Sequence, residues 1–199
     1  MEAGAERIVV ATRNRHKLRE LAEILDRFEL EPLPEEVELP PEDAETFAGN
    51  AEIKARAAHE ATGLPALGDD SGIEVAALDG RPGVRSARYA GEGATDEENL
   101  AKLLREVAPF TDKRAAYVCW IAFADSGGEP RLFEGRCEGT LIEEPRGTGG
   151  FGYDPAFVPD DTGPGDERTM AELPPAEKHA ISHRGRAARR LAAALGADP

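Results

Sequence analysis

Two adjacent carboxylates stand between glycines in Gly68-Asp69-Asp70-Ser71-Gly72, and the apolar, strand-like run Ile73-Glu74-Val75-Ala76-Ala77-Leu78 follows at once. Neighbouring like charges repel, so a chain that keeps this pair in a tight turn beside a strand needs a compensating charge, most simply a divalent cation. The chemistry suggested is metal-assisted. The alternative is a solvated acidic turn with no chemistry.

Other segments carry polar residues that a core does not require. In Thr12-Arg13-Asn14-Arg15-His16-Lys17 a predicted strand ends and a helix begins. That junction offers free backbone N–H groups, the positive end of a helix dipole and a Lys, which is a phosphate cradle in outline. It lacks the glycines of a Walker A loop, and an ordinary capped helix has the same pattern. Asn50 and Lys54 are four residues apart and share a helix face, so both could point at one ligand; Lys54 could equally pair within its helix.

Gly147-Thr148-Gly149-Gly150-Phe151-Gly152-Tyr153-Asp154-Pro155 crowds glycines around a Phe and an Asp. Close backbone approach, an aromatic face and a carboxylate acceptor for ring N–H groups are what a nucleobase pocket needs. A flexible loop with Phe151 tucked into the core is the competing reading. Glu177-Lys178-His179-Ala180-Ile181-Ser182-His183-Arg184-Gly185-Arg186 is a local basic cluster in which Lys178, His183 and Arg184 can all donate. No Ser-His-Asp or Cys-His order stands out, so acids with a hard metal remain.

These groups need a scaffold, and the pattern supplies one. Arg7-Ile8-Val9-Val10-Ala11 reads as a buried first strand, and apolar residues at Leu18, Leu21, Ile24, Leu25 and Phe28 mark one face of a helix from Lys17. A second helix is predicted over about 45–61, stopped by Gly63 and Pro65. Thr95-Asp96-Glu97-Glu98 has capping-box spacing ahead of a third helix through Val107. Residues 114–124 and 130–141 read as an antiparallel hairpin across Ser126-Gly127-Gly128, and 181–195 as a last helix. Residues 31–45 read as a long loop. The class is mixed α/β.

The chain has 199 residues, 24 Lys and Arg against 39 Asp and Glu, and a net charge of −15. That suffices for one domain with a large core, and it opposes adhesion to polymeric nucleic acid or anionic membrane. A small polyanion met by local cations stays open. Cys119 and Cys137 are far apart in strand-like runs and suggest core thiols in a reducing compartment. No membrane-length apolar run occurs, and residues 1–7 are acidic rather than a leader, so a soluble cytoplasmic protein is expected.

In this order the segments resemble the Ham1/inosine triphosphate pyrophosphatase family over residues 8–195. The resemblance rests on Thr12 to Lys17, Thr46-Phe47-Ala48-Gly49-Asn50-Ala51 with Lys54-Ala55, Asp69-Asp70-Ser71-Gly72, Pro82-Gly83-Val84-Arg85-Ser86-Ala87-Arg88-Tyr89, residues 147–155, Glu177-Lys178 and Ile181-Ser182-His183-Arg184-Gly185. It implies hydrolysis of noncanonical purine nucleoside triphosphates (ITP, dITP, XTP) to the monophosphate and pyrophosphate. It also implies an elongated α/β fold over 1–199, with a central mixed β-sheet flanked by helices and two lobes with a substrate cleft between them, usually as a homodimer.

Residue by residue, the resemblance implies that Thr12, Arg13, Asn14, Arg15, His16 and Lys17 contact the triphosphate, and that Asp70 is metal ligand and general base beside Ser71. Phe151, Gly152, Tyr153, Asp154, Lys178, His183 and Arg184 hold the base and nearby phosphates, and the cofactor is Mg2+. Asn50 and Lys54 belong to the matched substrate-binding set. Family members usually carry Glu where this chain has Gly49, so a metal-holding duty passes to Glu42, Glu45 or water, with Glu42 favoured by its five-residue offset to Phe47. A pyrophosphatase for a modified pyrimidine nucleotide and a non-catalytic nucleotide-binding module are the alternatives.

Overall fold

The first strand, β1 (Arg7–Val10), buries all three of its aliphatic residues, as a strand covered on both faces does. In the computed structural model, which describes residues 7–196, it pairs in parallel with β2 (Glu29–Pro32) and with β3 (Ala66–Val75). The β4 (Arg114–Ala124), β5 (Arg131–Leu141) and β6 (Phe157–Pro159) strands complete a mixed six-stranded sheet in the order β2-β1-β3-β4-β5-β6. The β5–β6 pair is antiparallel. Residues 1–6, most of the acidic start discussed above, lie outside the described residues.

The described chain forms two compact units, the first from residues 7–70, 119–135 and 184–196 and the second from 71–118 and 136–183. In the first, side-chain alternation along the strands divides the core. Ile8, Val10, Leu67 and Cys119 pack with Leu21 and Leu25 of α1 (Arg15–Ile24) and with Ala187, Ala188 and Leu191 of α5 (His183–Ala194). Val9, Ala11 and Ala66 pack with Ala58 of α2 (Phe47–Thr62), while Ala51 and Ala55 of the same helix meet Ala122 and Ala124. Sheet residues of opposite parity therefore meet different helices.

In the second unit Ile73, Val75, Tyr117, Cys137, Leu141 and Phe157 share one core with Leu100, Leu103 and Val107 of α3 (Asp96–Val107). Thr95 and Glu98 form the capping box the sequence predicts. The short helix α4 (Pro175–Ile181) opens with Pro175 in its first turn. Ser182, at φ −63° and ψ 152°, is extended and separates it from α5. The predicted last helix therefore starts at His183 rather than Ile181.

Helix α1 begins two residues earlier than its apolar stripe suggests, because Asn14 caps it by accepting from the N–H groups of His16 and Lys17. The acid pair departs further from expectation. It lies inside the ten-residue strand β3, between β1 and β4, and not in a turn at a strand edge.

Candidate active site

Because successive strand residues face opposite ways, Asp69 and Asp70 do not share an environment. Asp69 lies on the face of α1 and α5. Its Oδ1 pairs with the Lys17 ammonium, and its Oδ2 receives Arg184 Nε at 3.0 Å and the Cys119 thiol at 3.0 Å. Arg184 continues to Glu20 Oε2 at 2.6 Å. Asp70 lies on the face of α2, accepting from Asn50 Nδ2 at 2.9 Å, with Lys54 Nζ 3.6 Å from its Oδ1.

Gly68 allows that second face to close. A Cβ there would stand 2.8 Å from the backbone N of Ala55 and 3.1 Å from Lys54 Cβ, so only glycine lets α2 lie this close beside the acid pair. The compensation expected from a cation is thus supplied to Asp69 by Arg184 and Lys17. Mutual repulsion of the two acids is not what calls for a metal.

The two environments drive the acids' proton affinities apart. Burial alone would raise Asp69, but Arg184 and Lys17 outweigh it and hold this carboxyl well below its ordinary range. For Asp70 burial wins over Lys54, Lys17 and Asn50, and nearby Glu42 pushes the same way, so its carboxyl is raised. Burial and the Asp69 charge push the Cys119 thiol up, which keeps it a neutral S–H donor. Two carboxylates split in this way have separate roles available, Asp69 as a fixed anion and Asp70 as a proton acceptor.

Glu42 reaches the same place from the long loop. Lys54 Nζ is 3.0 Å from Glu42 Oε1 and 3.6 Å from Asp70 Oδ1, so one ammonium already holds both carboxylates together. Glu45 is exposed. Among the described residues no group of three or more His, Cys, Asp and Glu is placed to hold a metal. Two hard oxygen ligands fit a cation that completes its shell with water and phosphate oxygens, as Mg2+ does, and do not fit a closed protein cage.

Gly49 occupies the third position of α2, where its N–H donates to Thr46 Oγ1 at 3.1 Å. A Cβ at this place would start 2.8 Å from Ala44 Cβ and 3.2 Å from Thr46 Oγ1, aimed at the preceding loop. A Glu there would stand where the acid of a capping box stands.

The Thr12 to Lys17 turn differs from a free cradle. The N–H groups of His16 and Lys17 donate to Asn14 Oδ1 at 2.9 and 3.2 Å, and that of Asn14 to Thr12 Oγ1 at 3.1 Å. Arg13 faces away into residues 33–37, bonding four backbone carbonyls. Arg15 and His16 are exposed, and His16 Nδ1 lies 3.4 Å from Arg19. Lys17 is the member of this segment that reaches the acids. Asn50 is fully buried and spans Ala44 N–H and Asp70, so it orients the acid.

In the second unit the Gly-rich segment is anchored by its own Asp154. Its Oδ2 accepts from Phe151 N–H at 3.0 Å and from Lys178 Nζ at 2.8 Å, and Lys178 Nζ is 5.3 Å from the Phe151 ring centre. The N–H of Gly152, held at φ 63°, donates to Asp96 at 2.8 Å, and the hydroxyl of Tyr153 to the Ser86 carbonyl at 2.7 Å. His183 is buried and stacks on Tyr117, with ring centres 4.6 Å apart and planes within 7°. Phe151, Asp154 and Lys178 are thereby brought together. Ser71 is half-buried in β3. Arg184, expected at the base, is 1% exposed and committed to Asp69 and Glu20 in the first unit.

Sequence reading missed Glu20, Cys119, Tyr117 and Asp96. Glu20 did leave a signal. It lies three residues after Lys17, on the stripe that continues to Leu21 and Ile24, where a charge in an apolar row asks for a buried partner.

The profile of the Ham1 family matches residues 8–194. A dITP/XTP pyrophosphatase of Geobacter sulfurreducens is 52% identical over 197 residues, covering 96% of each chain. One of Mycobacterium tuberculosis is 48% identical over 202 residues, covering 95% of each. The solved structure of a HAM1 protein from Coxiella burnetii superposes with a TM-score of 0.85 at 43% identity, covering 96% of this chain and 98% of that one. With a profile match spanning both units and relatives this similar along their whole length, the chain belongs to the Ham1 family.

Proposed function

We propose that the protein hydrolyses noncanonical purine nucleoside triphosphates, ITP, dITP and XTP, to the monophosphate and pyrophosphate, and so clears them from the nucleotide pool. The observation that carries this reading is the division of the acid pair, with Asp69 fixed as an anion by Lys17 and Arg184 and Asp70 raised beside Lys54 and Glu42. Relatives named dITP/XTP pyrophosphatase at 46–52% identity support the same chemistry.

Asp70 takes a proton from a water, and the water oxygen forms the new bond to the α-phosphorus. The bond from the α-phosphorus to its bridging oxygen breaks, and pyrophosphate leaves. Lys17 and Lys54 stabilise charge that builds up on the transferred and leaving oxygens. Asn50 keeps Asp70 aimed. Asp70 and Glu42 would hold Mg2+, which when bound neutralises phosphate charge and acidifies water.

Base selection falls to the second unit's cluster by its own chemistry. Lys178 and His183 offer donors to a 6-keto oxygen, and the Asp154 carboxylate offers an acceptor to the ring N–H beside it. Adenine presents the reverse pattern and leaves both unpaired, a mismatch that hydrogen-bonding sites reject by up to about 10⁴ to 10⁵, whereas guanine shares this edge and is set apart by its 2-amino group, against which shape or an unsatisfied donor must act. Phe151 supplies a stacking face. Among the described residues no helix is long and apolar enough to cross a membrane. A cytoplasmic homodimer is the assembly we infer from family resemblance, and sedimentation as a dimer checks it.

Pyrophosphate release from ITP, XTP, ATP, GTP and dTTP, with Mg2+ and then with excess chelator, tests the proposal. Metal-dependent formation of IMP and XMP, weak with ATP and GTP, is the expected result. Turnover of dTTP in preference to ITP overturns the substrate, and binding without turnover overturns the enzyme.

A further inference from the structure

Arg13 makes an unusual set of contacts for a residue at a phosphate turn. Its Nη1 donates to the Leu33 carbonyl at 2.7 Å, and its Nη2 to those of Pro34 at 2.7 Å, Val37 at 2.8 Å and Glu35 at 3.3 Å. A planar guanidinium suits this gathering of carbonyls from one bend of chain, whereas a single ammonium does not present the same fork.

The segment it grips is the irregular stretch between β2 and α2, which carries Glu42. Ordering so long a stretch without strand or helix is entropically unfavourable, so its position depends on a few fixings. At its far end these are Ala44 N–H to Asn50 Oδ1 at 3.0 Å and Glu42 to Lys54 at 3.0 Å. At its near end they are the burial of Leu33, the packing of Val37 and Leu39 against the same cluster and the four Arg13 bonds. Arg13 itself stands between Thr12 and Asn14, in the turn that caps the helix bearing Lys17.

The geometry points to Arg13 as a positioning residue that sets divalent-cation affinity by holding the Glu42 loop against the Asp70 face, without touching the nucleotide. The inference rests on the reading of Glu42 and Asp70 as the cation's ligands. Supporting groups of this kind typically govern metal affinity by about ten- to a hundredfold.

The test is Mn2+ titration of the nucleotide-free protein, followed by the electron paramagnetic resonance of unbound Mn2+, together with amide exchange of residues 33–45. Arg13→Ala, Arg13→Lys and Glu42→Gln are compared with the parent. We expect both Arg13 variants to weaken Mn2+ binding about tenfold, and both to exchange faster across the loop. Glu42→Gln should weaken binding with exchange of 33–37 unchanged.

Unaltered Mn2+ affinity in Arg13→Ala overturns the inference even if the loop exchanges faster, since the residue is then only structural. So does a raised KM for ITP in Arg13→Ala that Arg13→Lys restores at unchanged Mn2+ affinity, the signature of a direct phosphate contact. If Glu42→Gln binds Mn2+ like the parent, the ligand reading of Glu42 fails and the inference falls with it, while ITP hydrolysis by the parent stands as a separate result.

Discussion

Arg184 Nε lies 3.0 Å from Asp69 Oδ2, with the two side chains 1% and 0% exposed. Buried charges persist only when paired and bonded, and this pair is extended on both sides, by Lys17 on Asp69 and by Glu20 on Arg184. Its consequence is that the first acid of the motif is a fixed anion that holds Lys17 in place.

Arg184→Met should therefore cost about 3–5 kcal/mol of stability, because it leaves buried Glu20 and Asp69 short of their shared cation. Urea denaturation measures this. Glu20→Gln in the same chain should add less than its own single effect, since both substitutions break one network.

Acid denaturation follows from the sign of the Asp69 shift. A carboxyl held below its ordinary value of 3.8 when folded contributes stability that is fully present above that value and is lost as pH falls through the folded value. Asp69→Asn should be strongly destabilised at pH 7, and the gap between variant and parent should narrow as the pH is taken below about 3.8. Thermal unfolding from pH 7 to pH 2.5 reads both.

Asp70→Asn should behave in the opposite way. A carboxyl raised by burial gives up stability as pH rises through its folded value, so at pH 8 the ionised side chain works against the fold. In chelator the variant should unfold at a higher temperature than the parent at pH 8, with the difference shrinking toward pH 4. Hydrolysis of ITP should fall by about 10² to 10⁴, the usual contribution of a general base, with nucleotide binding retained.

Why some of this was legible and some was not can be read from particular residues. Thr95-Asp96-Glu97-Glu98 and the strand over 114–124 announce themselves locally, through spacing and an apolar run. Asp69-Asp70 was legible as an unusual pair of charges but not as a geometry. A strand places neighbours on opposite faces, and flanking glycines imitate a turn when their real task at Gly68 is to let a helix approach. The Arg184 partners stand 115 and 164 residues away, so a basic cluster looks alike whether it meets a ligand or a buried acid. Arg13 is a similar case, since its acceptors are backbone carbonyls and carry no sequence signal.

The stack of His183 on Tyr117 supplies a last prediction. Tyr117 is itself held by an edge contact with Phe157, ring centres 4.8 Å apart at 64°, so the face it offers to the imidazole is fixed from behind. If His183 presents a donor to the base, the plane of its ring decides where that donor points, and Tyr117 sets the plane. Replacing Tyr117 by Leu keeps an apolar side chain and removes the flat face. An aromatic pair is worth about 0.5–1.5 kcal/mol beyond its buried area, so the KM for ITP should rise about two- to tenfold. Discrimination against ATP should weaken with it, while kcat changes less, because the proposed proton acceptor, Asp70, is untouched. Tyr117→Phe retains the ring and should restore both KM and selectivity. Steady-state kinetics on ITP and ATP for the two variants decide it, and a Leu variant with the selectivity of the parent would remove Tyr117 from base recognition.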